Sequence, residues 1–271
     1  MPEIPIFCIS LNESAARFAN VERSLSRFGL TPIRVRAING RRKSELLRRS
    51  TQRSFFSAKH NRPMSSGEIG CLVSHIKAIR TIMYNRLPAA IITEDDVEFS
   101  PQFGEFYRND LLDFLDVADI VKIEGDLYAH SSRDGLTCVR GSVCRGIIPM
   151  RPSLCAAAYA VTLSGAESLA SVADSVDEPF DFILNSYERY RARYCELRPF
   201  LGQQSGVTST IGEAGRSHDA VPKGSYLTAQ MVHKAFGRFT NAGSTMLRAT
   251  TKSCRKVMRM PGSRSFPTRS A

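Results

Sequence analysis

Apolar residues along this chain fall into short runs, and helical spacing separates them. Ile4 to Leu11 is apolar and bounded by Pro5 and Asn12, which predicts a buried first strand. From Asn12 to Phe28 the residues Phe18, Val21, Leu25 and Phe28 recur at helical spacing. Asn12 or Ser14 is the expected cap there, and Gly29 the stop. Pro32 to Ala37 predicts a second strand. Strand, helix, strand is the opening of a parallel α/β sheet. The clearest helix is Ser65 to Tyr84. Ser65 and Glu68 fit a capping box, and Ile69, Leu72, Val73, Ile76, Ile79 and Met83 form one apolar face. Pro88 then breaks the chain before a strand at Ala89–Thr93. Further on, the pattern predicts a helix over about 102–115 and a strand over 119–124. Loops with short strands are expected over 126–150, and a tightly packed strand over 153–162. A helix capped by Ser164 should run to about Val172, another should start near Pro179, and a short strand should close the series at 194–197.

Charge changes this picture at two places. Residues 34–62 hold ten Lys/Arg and one acid, Glu45, with weak periodicity, and read as an exposed, partly helical insertion. Residues 1–219 hold 27 Lys/Arg against 26 Asp/Glu, whereas residues 220–271 hold 10 and none, so nearly all of the net +11 sits in the tail. The domains read as a body over 1–219 and a basic tail over 220–271, partly helical or disordered. A nucleic-acid footprint would put the excess on the body, so no nucleic acid is expected. Apolar residues interleave the tail, among them Phe236, Phe239, Met246 and Met258, which suggests attachment to an anionic membrane surface. The bland alternative is a tail without a partner. No apolar run is long enough to span a bilayer. The N-terminus reads as a strand rather than a signal peptide. The seven cysteines are scattered with no CxxC pair, which suggests free thiols in a reducing cytoplasm rather than structural zinc.

The strand Ala89–Thr93 ends in Glu94, Asp95 and Asp96. Adjacent carboxylates repel. A hard divalent cation, magnesium or manganese, bridging to a phosphate gives them a purpose; a solvated acidic loop is the other reading. Glu68, Cys71 and His75 share one helix stripe. They could form a polar pocket wall or a metal site, or Glu68 could serve as cap and His75 as a structural histidine. Zinc is disfavoured there because no fourth ligand is visible.

Several segments in order carry a resemblance: IFCISLNES, AINGRR, GEIGCLVSH, IITEDDVEF, AAAYAVTLSGAESL, DEPFDFIL, PFLGQQ and STIG. Over roughly residues 4–212 the chain resembles glycosyltransferase family 25, the lipopolysaccharide-type galactosyltransferases and their collagen-modifying relatives. The resemblance implies an α/β, GT-A-like nucleotide-sugar-binding domain with a mainly parallel central sheet flanked by helices. It also implies a UDP-hexose donor, galactose first, inversion at the anomeric carbon, and a lipopolysaccharide or lipooligosaccharide core acceptor. An aromatic, often Trp, commonly follows the Ser-His pair in similar sequences; here Ala78 and Ile79 stand there, and the chain has no Trp.

Read with that resemblance, the EDD triplet matches a DXD-like motif. Glu94 and Asp96 are the expected ligands of Mn2+ or Mg2+. Asp95 is either beside the donor or turned into the fold, because neighbours on an extended chain face opposite sides. Ligands in open α/β sheets bind beyond the strands' carboxyl ends. The donor is therefore expected against Ser10, Leu11, Asn12 and Arg17, with His75, Glu94 and Asp95 completing its surroundings. Arg17 as a plain surface charge is the alternative. Asp181 is the first choice of general base, with Glu178, Asp177, Glu124 and Asp126 as rivals. Gly165 and Ala166 are expected to pack near the sugar pocket, and Gln203 and Gln204, or Ser209 with His218, to close the donor site. These expectations describe an enzyme peripheral on the inner face of the bacterial cytoplasmic membrane, acting on a lipid-linked saccharide. A non-catalytic UDP-sugar- or glycan-binding module is the alternative.

Overall fold

Alternation within the apolar strands builds the sheet. Phe7, Ile9, Ala90, Ile92, Tyr159 and Val161 face one core, whereas Ile6, Cys8, Ala89, Ile91, Ala158 and Ala160 face the other. Strands buried on both faces need helices on both sides. The computed structural model describes residues 3–40, 56–125, 135–149, 152–173, 178–189 and 191–205. The chain divides into units 1–216 and 217–271, and the second lies outside the described residues. So do the basic tail, most of the 34–62 insertion, and the site candidates Asp126, Asp177, Ser209 and His218.

The chain opens with β1 (Ile6–Ser10), α1 (Ala15–Ser26) and β2 (Ile33–Arg36). A small hairpin follows, β3 (Phe56–Ser57) with β4 (Arg62–Pro63), and then α2 (Ser66–Tyr84). Next come β5 (Ala89–Glu94) and β6 (Val97–Phe99). Helix α3 is assembled from Phe103–Glu105, a π-turn Phe106–Asp110 and Leu111–Val117. Beyond it lie β7 (Ile120–Lys122), β8 (Gly135–Arg140) and β9 (Arg145–Pro149). Then come β10 (Ala158–Thr162), α4 (Leu163–Ala173) and α5 (Phe180–Asn185). The described chain ends with β11 (Tyr194–Arg198) and β12 (Gly202–Gln204). Eight strands form the central sheet in the order β2-β1-β5-β10-β7-β11-β9-β8. The expected α/β sheet flanked by helices is present, with α2, α4 and α5 on one face and α1 and α3 on the other. Six of the eight strands run one way. Reversal of β10 and β9 leaves three parallel and four antiparallel neighbour pairs, so the pairing is mixed.

Several local expectations shift. Ser65 and Glu68 do form the capping box. Thr162, not Ser164, caps α4, its Oγ1 accepting from Gly165 N at 3.1 Å. The strand expected over 153–162 is confined to Ala158–Thr162, because residues 152–157 are held as a loop by side chains beneath them. Part of the supposed basic insertion is β2, where Arg34 stacks on the Phe18 ring, 4.9 Å from its centroid.

One close approach shapes the site. A Cβ on Gly40 would lie 1.7 Å from Ser66 O, and one on Gly70 would lie 2.6 Å from Ile38 O. Glycine at both positions lets residues 37–40 press against the first turns of α2.

Candidate functional site

Parallel β1 and β5 end side by side, with Ile9 level with Glu94. Beyond their carboxyl ends lies a cavity of about 260 Å³. Its walls are the β1–α1 turn with Ser10, Leu11 and Arg17, residues 37–40 after β2, the α2 face with Gly70, Cys71 and His75, and Glu94 with Asp95. A larger cavity of about 690 Å³ adjoins it between α1 and the β6–β12 pair, reached by Arg17, Asp95, Asp96 and Gln203. Arg17 and Asp95 line both.

Helix α2 delivers His75 to β5. The ring is fully buried and lies flat on Phe180, with centroids 4.1 Å apart at 7°. Its Nδ1 is 3.1 Å from the Tyr159 hydroxyl, and its Nε2 is 3.1 Å from Glu94 Oε1. The Cys71 thiol, one helical turn earlier, donates to the same Oε1 at 3.7 Å. Burial would raise the Glu94 carboxyl, but the hydrogen bond and charge of His75, with smaller help from Cys71 and Arg17, hold it below its ordinary value. Burial, reinforced by Glu94, pushes the Cys71 thiol well up.

The next two residues share one guanidinium. Arg17 Nη2 is 2.6 Å from Asp95 Oδ1 and 3.0 Å from Asp96 Oδ2. Asp95 is raised by burial, against the pull of a Ser10 hydrogen bond and Arg17. It lines both cavities. Asp96 is pushed up to about 6, first by burial and then by the charge of Glu94. Asp96 Oδ1 and Arg17 Nε are buried and find no hydrogen-bond partner among the described residues. Leaving such an atom unpaired costs about 1–3 kcal/mol. A buried carboxylate oxygen short of donors, next to a second carboxylate, suits a hard divalent cation. Glu94 and Asp96 thus fit the magnesium or manganese expected of them.

Other candidates separate clearly. Leu11 contributes its carbonyl, which accepts from Arg34 Nη2 at 2.5 Å, and that guanidinium also reaches Ser10 Oγ at 3.2 Å. Arg34 went unnoticed in the sequence because it sat inside a basic stretch. Asn12 is exposed on the turn and does not line the cavity. Asp181 lies in the first turn of α5 and is raised by burial. Glu178 is spent elsewhere: its carboxylate accepts from Ser57 Oγ and from Lys59 N at 3.0 Å, tying the β3–β4 hairpin to α5. That geometry makes it a clamp rather than a base. Glu68 caps α2 and takes Arg62 in two bonds of 2.9 and 2.7 Å. Glu124, two residues beyond β7, is 2% exposed and accepts from Ala157 N at 3.3 Å. Burial raises it to about 7, with Glu94 and Asp96 adding to the push. Gln203 and Gln204 are exposed on β12. Gly165 and Ala166 lie at the opposite end of the strands, because β10 runs antiparallel and its end, Thr162, pairs with Ala89 at the start of β5.

The family model for glycosyltransferase family 25 (LPS biosynthesis protein) matches residues 3–138, half of the chain, and spans β1, α2 and the Glu94–Asp96 turn. The chain belongs to glycosyltransferase family 25. Among its relatives is a glycosyltransferase 25 family member of Drosophila melanogaster, 30% identical over 104 residues, covering 37% of this chain and 17% of that protein. Human procollagen galactosyltransferase 2 is 31% identical over 67 residues, 25% of this chain and 10% of that protein. The matched stretches thus span less than a fifth of either relative. Within this family member, the clustered carboxylates, Arg17 and both cavities gather beyond the carboxyl ends of β1 and β5. Among the described residues, Cys8, Cys71, Cys138, Cys144 and Cys195 form no disulfide. No helix among the described residues is long and apolar enough to cross a membrane.

Proposed function

We propose that this chain transfers a hexose, galactose first, from a UDP-sugar to a lipopolysaccharide or lipooligosaccharide core acceptor with inversion. The family description supports the acceptor class, and the name of the human relative supports galactose. The observation that carries the reading is the unpaired oxygen of Asp96, two residues beyond Glu94, where β5 ends between the two adjoining cavities, Glu94 lining one and Asp96 the other. Glu94 and Asp96 would hold Mn2+ or Mg2+, which as a Lewis acid stabilises charge on a departing diphosphate. Ser10, Leu11 and the α2 face shape the nucleoside side, and Arg17 serves the phosphates. The acceptor hydroxyl attacks the anomeric carbon, the bond from that carbon to the diphosphate oxygen breaks, and UDP leaves. Asp181 takes the hydroxyl proton; burial, which raises its affinity for a proton, supports that role. Glu124 is the rival, for the same reason. The basic residues of 220–271 hold the enzyme at an anionic cytoplasmic leaflet, where a lipid-linked acceptor resides.

The test is release of UDP and mass-detected product across a UDP-sugar panel, with and without Mn2+. Asp96→Ala should lower turnover by at least about 100-fold, the scale of losing a group that stabilises developing charge. Its melting should stay cooperative. Undiminished turnover in Asp96→Ala would remove the metal role, and UDP binding without transfer from any donor would favour a binding module.

A further inference from the structure

Beyond the hard-cation pair, Glu94 belongs to a second set of donors. Cys71 Sγ, His75 Nε2 and a Glu94 oxygen all lie within 4.8 Å of one another. We infer that Cys71, His75 and Glu94 form a three-ligand site for a borderline-soft divalent ion of the zinc class, with its fourth position open to the 260 Å³ cavity.

Four observations carry this. The first is geometry. Zinc bonds of about 2.0–2.3 Å at tetrahedral angles give donor separations of about 3.3 Å for N and O and about 3.6 Å for S and O. Here the separations are 3.1 Å from His75 Nε2 to Glu94 Oε1 and 3.7 Å from Cys71 Sγ to the same oxygen. Second is placement: Cys71 and His75 are four residues apart on the 19-residue α2, a spacing that puts two ligands on one face of a helix, and Glu94 arrives from the adjoining strand. Third is the surrounding shell. A ligating histidine is normally oriented through its other ring nitrogen, and His75 Nδ1 is held 3.1 Å from the Tyr159 hydroxyl while its ring lies flat on Phe180. Fourth is chemistry. Thiol sulfur and imidazole select zinc-class ions over magnesium or manganese, whose ligands are oxygens. Sequence spacing pointed to Glu68 as the third member of this stripe, but Glu68 is committed to its cap and to Arg62.

Ligation displaces the Cys71 thiol proton to solvent, leaving thiolate, neutral imidazole and carboxylate around the ion. Because Glu94 is shared, the zinc-class ion and the hard cation of the proposed transfer reaction compete for one carboxylate. Only this last consequence rests on that functional reading.

The experiment uses the full chain, stripped of metal and kept reduced, titrated with Co2+ alone and then with Zn2+. One equivalent of Co2+ should give intense tetrahedral visible bands and a thiolate-to-cobalt charge-transfer band, both bleached by Zn2+. Cys71→Ser, which changes one atom, should abolish the charge-transfer band, whereas Cys138→Ser should keep it. Tyr159→Phe should weaken Zn2+ binding about 10-fold, the scale for losing an orienting partner. Thermal melting reports whether each variant folds, and Cys71→Ser keeps the test decisive if Tyr159→Phe does not. Absence of the band in the unmodified chain, or its persistence in Cys71→Ser, overturns the site. A cobalt band, with no sugar transfer from any donor when the chain is loaded with Mn2+ alone, would sink the enzyme reading while the metal site stands. Transfer without the band would do the reverse.

Discussion

Glu196 is fully buried and Asp96 partly so, each beside an arginine, and their surroundings differ. Glu196 Oε2 takes Arg198 Nη2 at 2.6 Å. Its Oε1 accepts from Ser153 N at 2.8 Å and Ser153 Oγ at 3.1 Å, with the Tyr194 hydroxyl at 3.0 Å. Nearby, the fully buried Lys122 ammonium donates to Ser153 O, to Leu154 O at 3.0 Å and to Asn185 Oδ1 at 3.1 Å. This network has its donors matched to acceptors, with Asn185 Nδ2 the one orphan among its described side chains. It fixes the 152–157 loop, whose Ala157 accepts from Glu94 N at 2.7 Å and donates to Glu124. Asp96, by contrast, shares one guanidinium with Asp95 and keeps a buried oxygen without a donor. A satisfied buried network specifies structure, while an under-satisfied one retains affinity for a ligand. One centre fixes the loop that holds the Glu94 backbone, and the other lines a cavity.

The largest effect should come from breaking the satisfied centre. Lys122→Met removes a buried cation and strands three acceptors, so about 3–5 kcal/mol of stability should disappear. Equilibrium urea unfolding measures it. The matched change at the other centre, Asp96→Asn, should cost no stability at neutral pH, because it removes an anion already short of partners. Similar losses at both positions would erase the distinction between them.

Acidity offers the next test. Folded Asp96 keeps its proton up to about pH 6, against an ordinary value of 3.8. Between those values the folded chain holds more protons than the unfolded one, so stability falls as pH rises through that window. Glu124, raised from 4.5 to about 7, extends the fall to neutrality, and Asp95 and Asp181 act in the same direction. Glu68 and Asp119, held below their ordinary values by Arg62 and Arg193 against burial, act oppositely, and only in acid. Urea unfolding between about pH 4.5 and 7.5 should show stability declining by about 2 kcal/mol through Asp96. Asp96→Asn should flatten that slope, and Mn2+ should reduce it by favouring the ionised pair. An unchanged slope in the variant would show that the carboxyl is not perturbed.

The same contrast explains what the sequence could disclose. Elements set by local periodicity were legible: β1, α1, α2 and β5 stand close to where apolar spacing put them, and the Ser65–Glu68 capping box needs only four adjacent residues. The acidic end of β5 was legible because three adjacent carboxylates are conspicuous in any context. What stayed hidden depends on chain reversal and long-range contact. Nothing local reveals that β10 runs against its neighbours, and that reversal carries Gly165 and Ala166 to the end of the strands away from the site. Glu178 resembled a catalytic acid until Ser57 and Lys59, more than a hundred residues away, took its oxygens. Arg34, Lys122 and Glu196 look like ordinary surface charges in sequence, and only tertiary pairing makes them supports.

The smallest effect sharpens the comparison most, because it removes a single atom. Tyr194 stacks on Tyr187, with centroids 4.6 Å apart, and brings its hydroxyl to 3.0 Å from Glu196 and 3.2 Å from Asn185. Tyr194→Phe keeps the ring stack and deletes one neutral donor from the satisfied centre. Hydrogen bonds to a charged group contribute about 1.5–3 kcal/mol, but Ser153 still supplies two donors to the same oxygen, so the loss should be about 1 kcal/mol. Transfer activity should follow that stability loss only near the melting temperature, since the hydroxyl touches neither cavity wall. A large fall in turnover at low temperature would mean that the network tunes the chemistry as well as the loop, and the division between a structural centre and a binding centre would be too sharp.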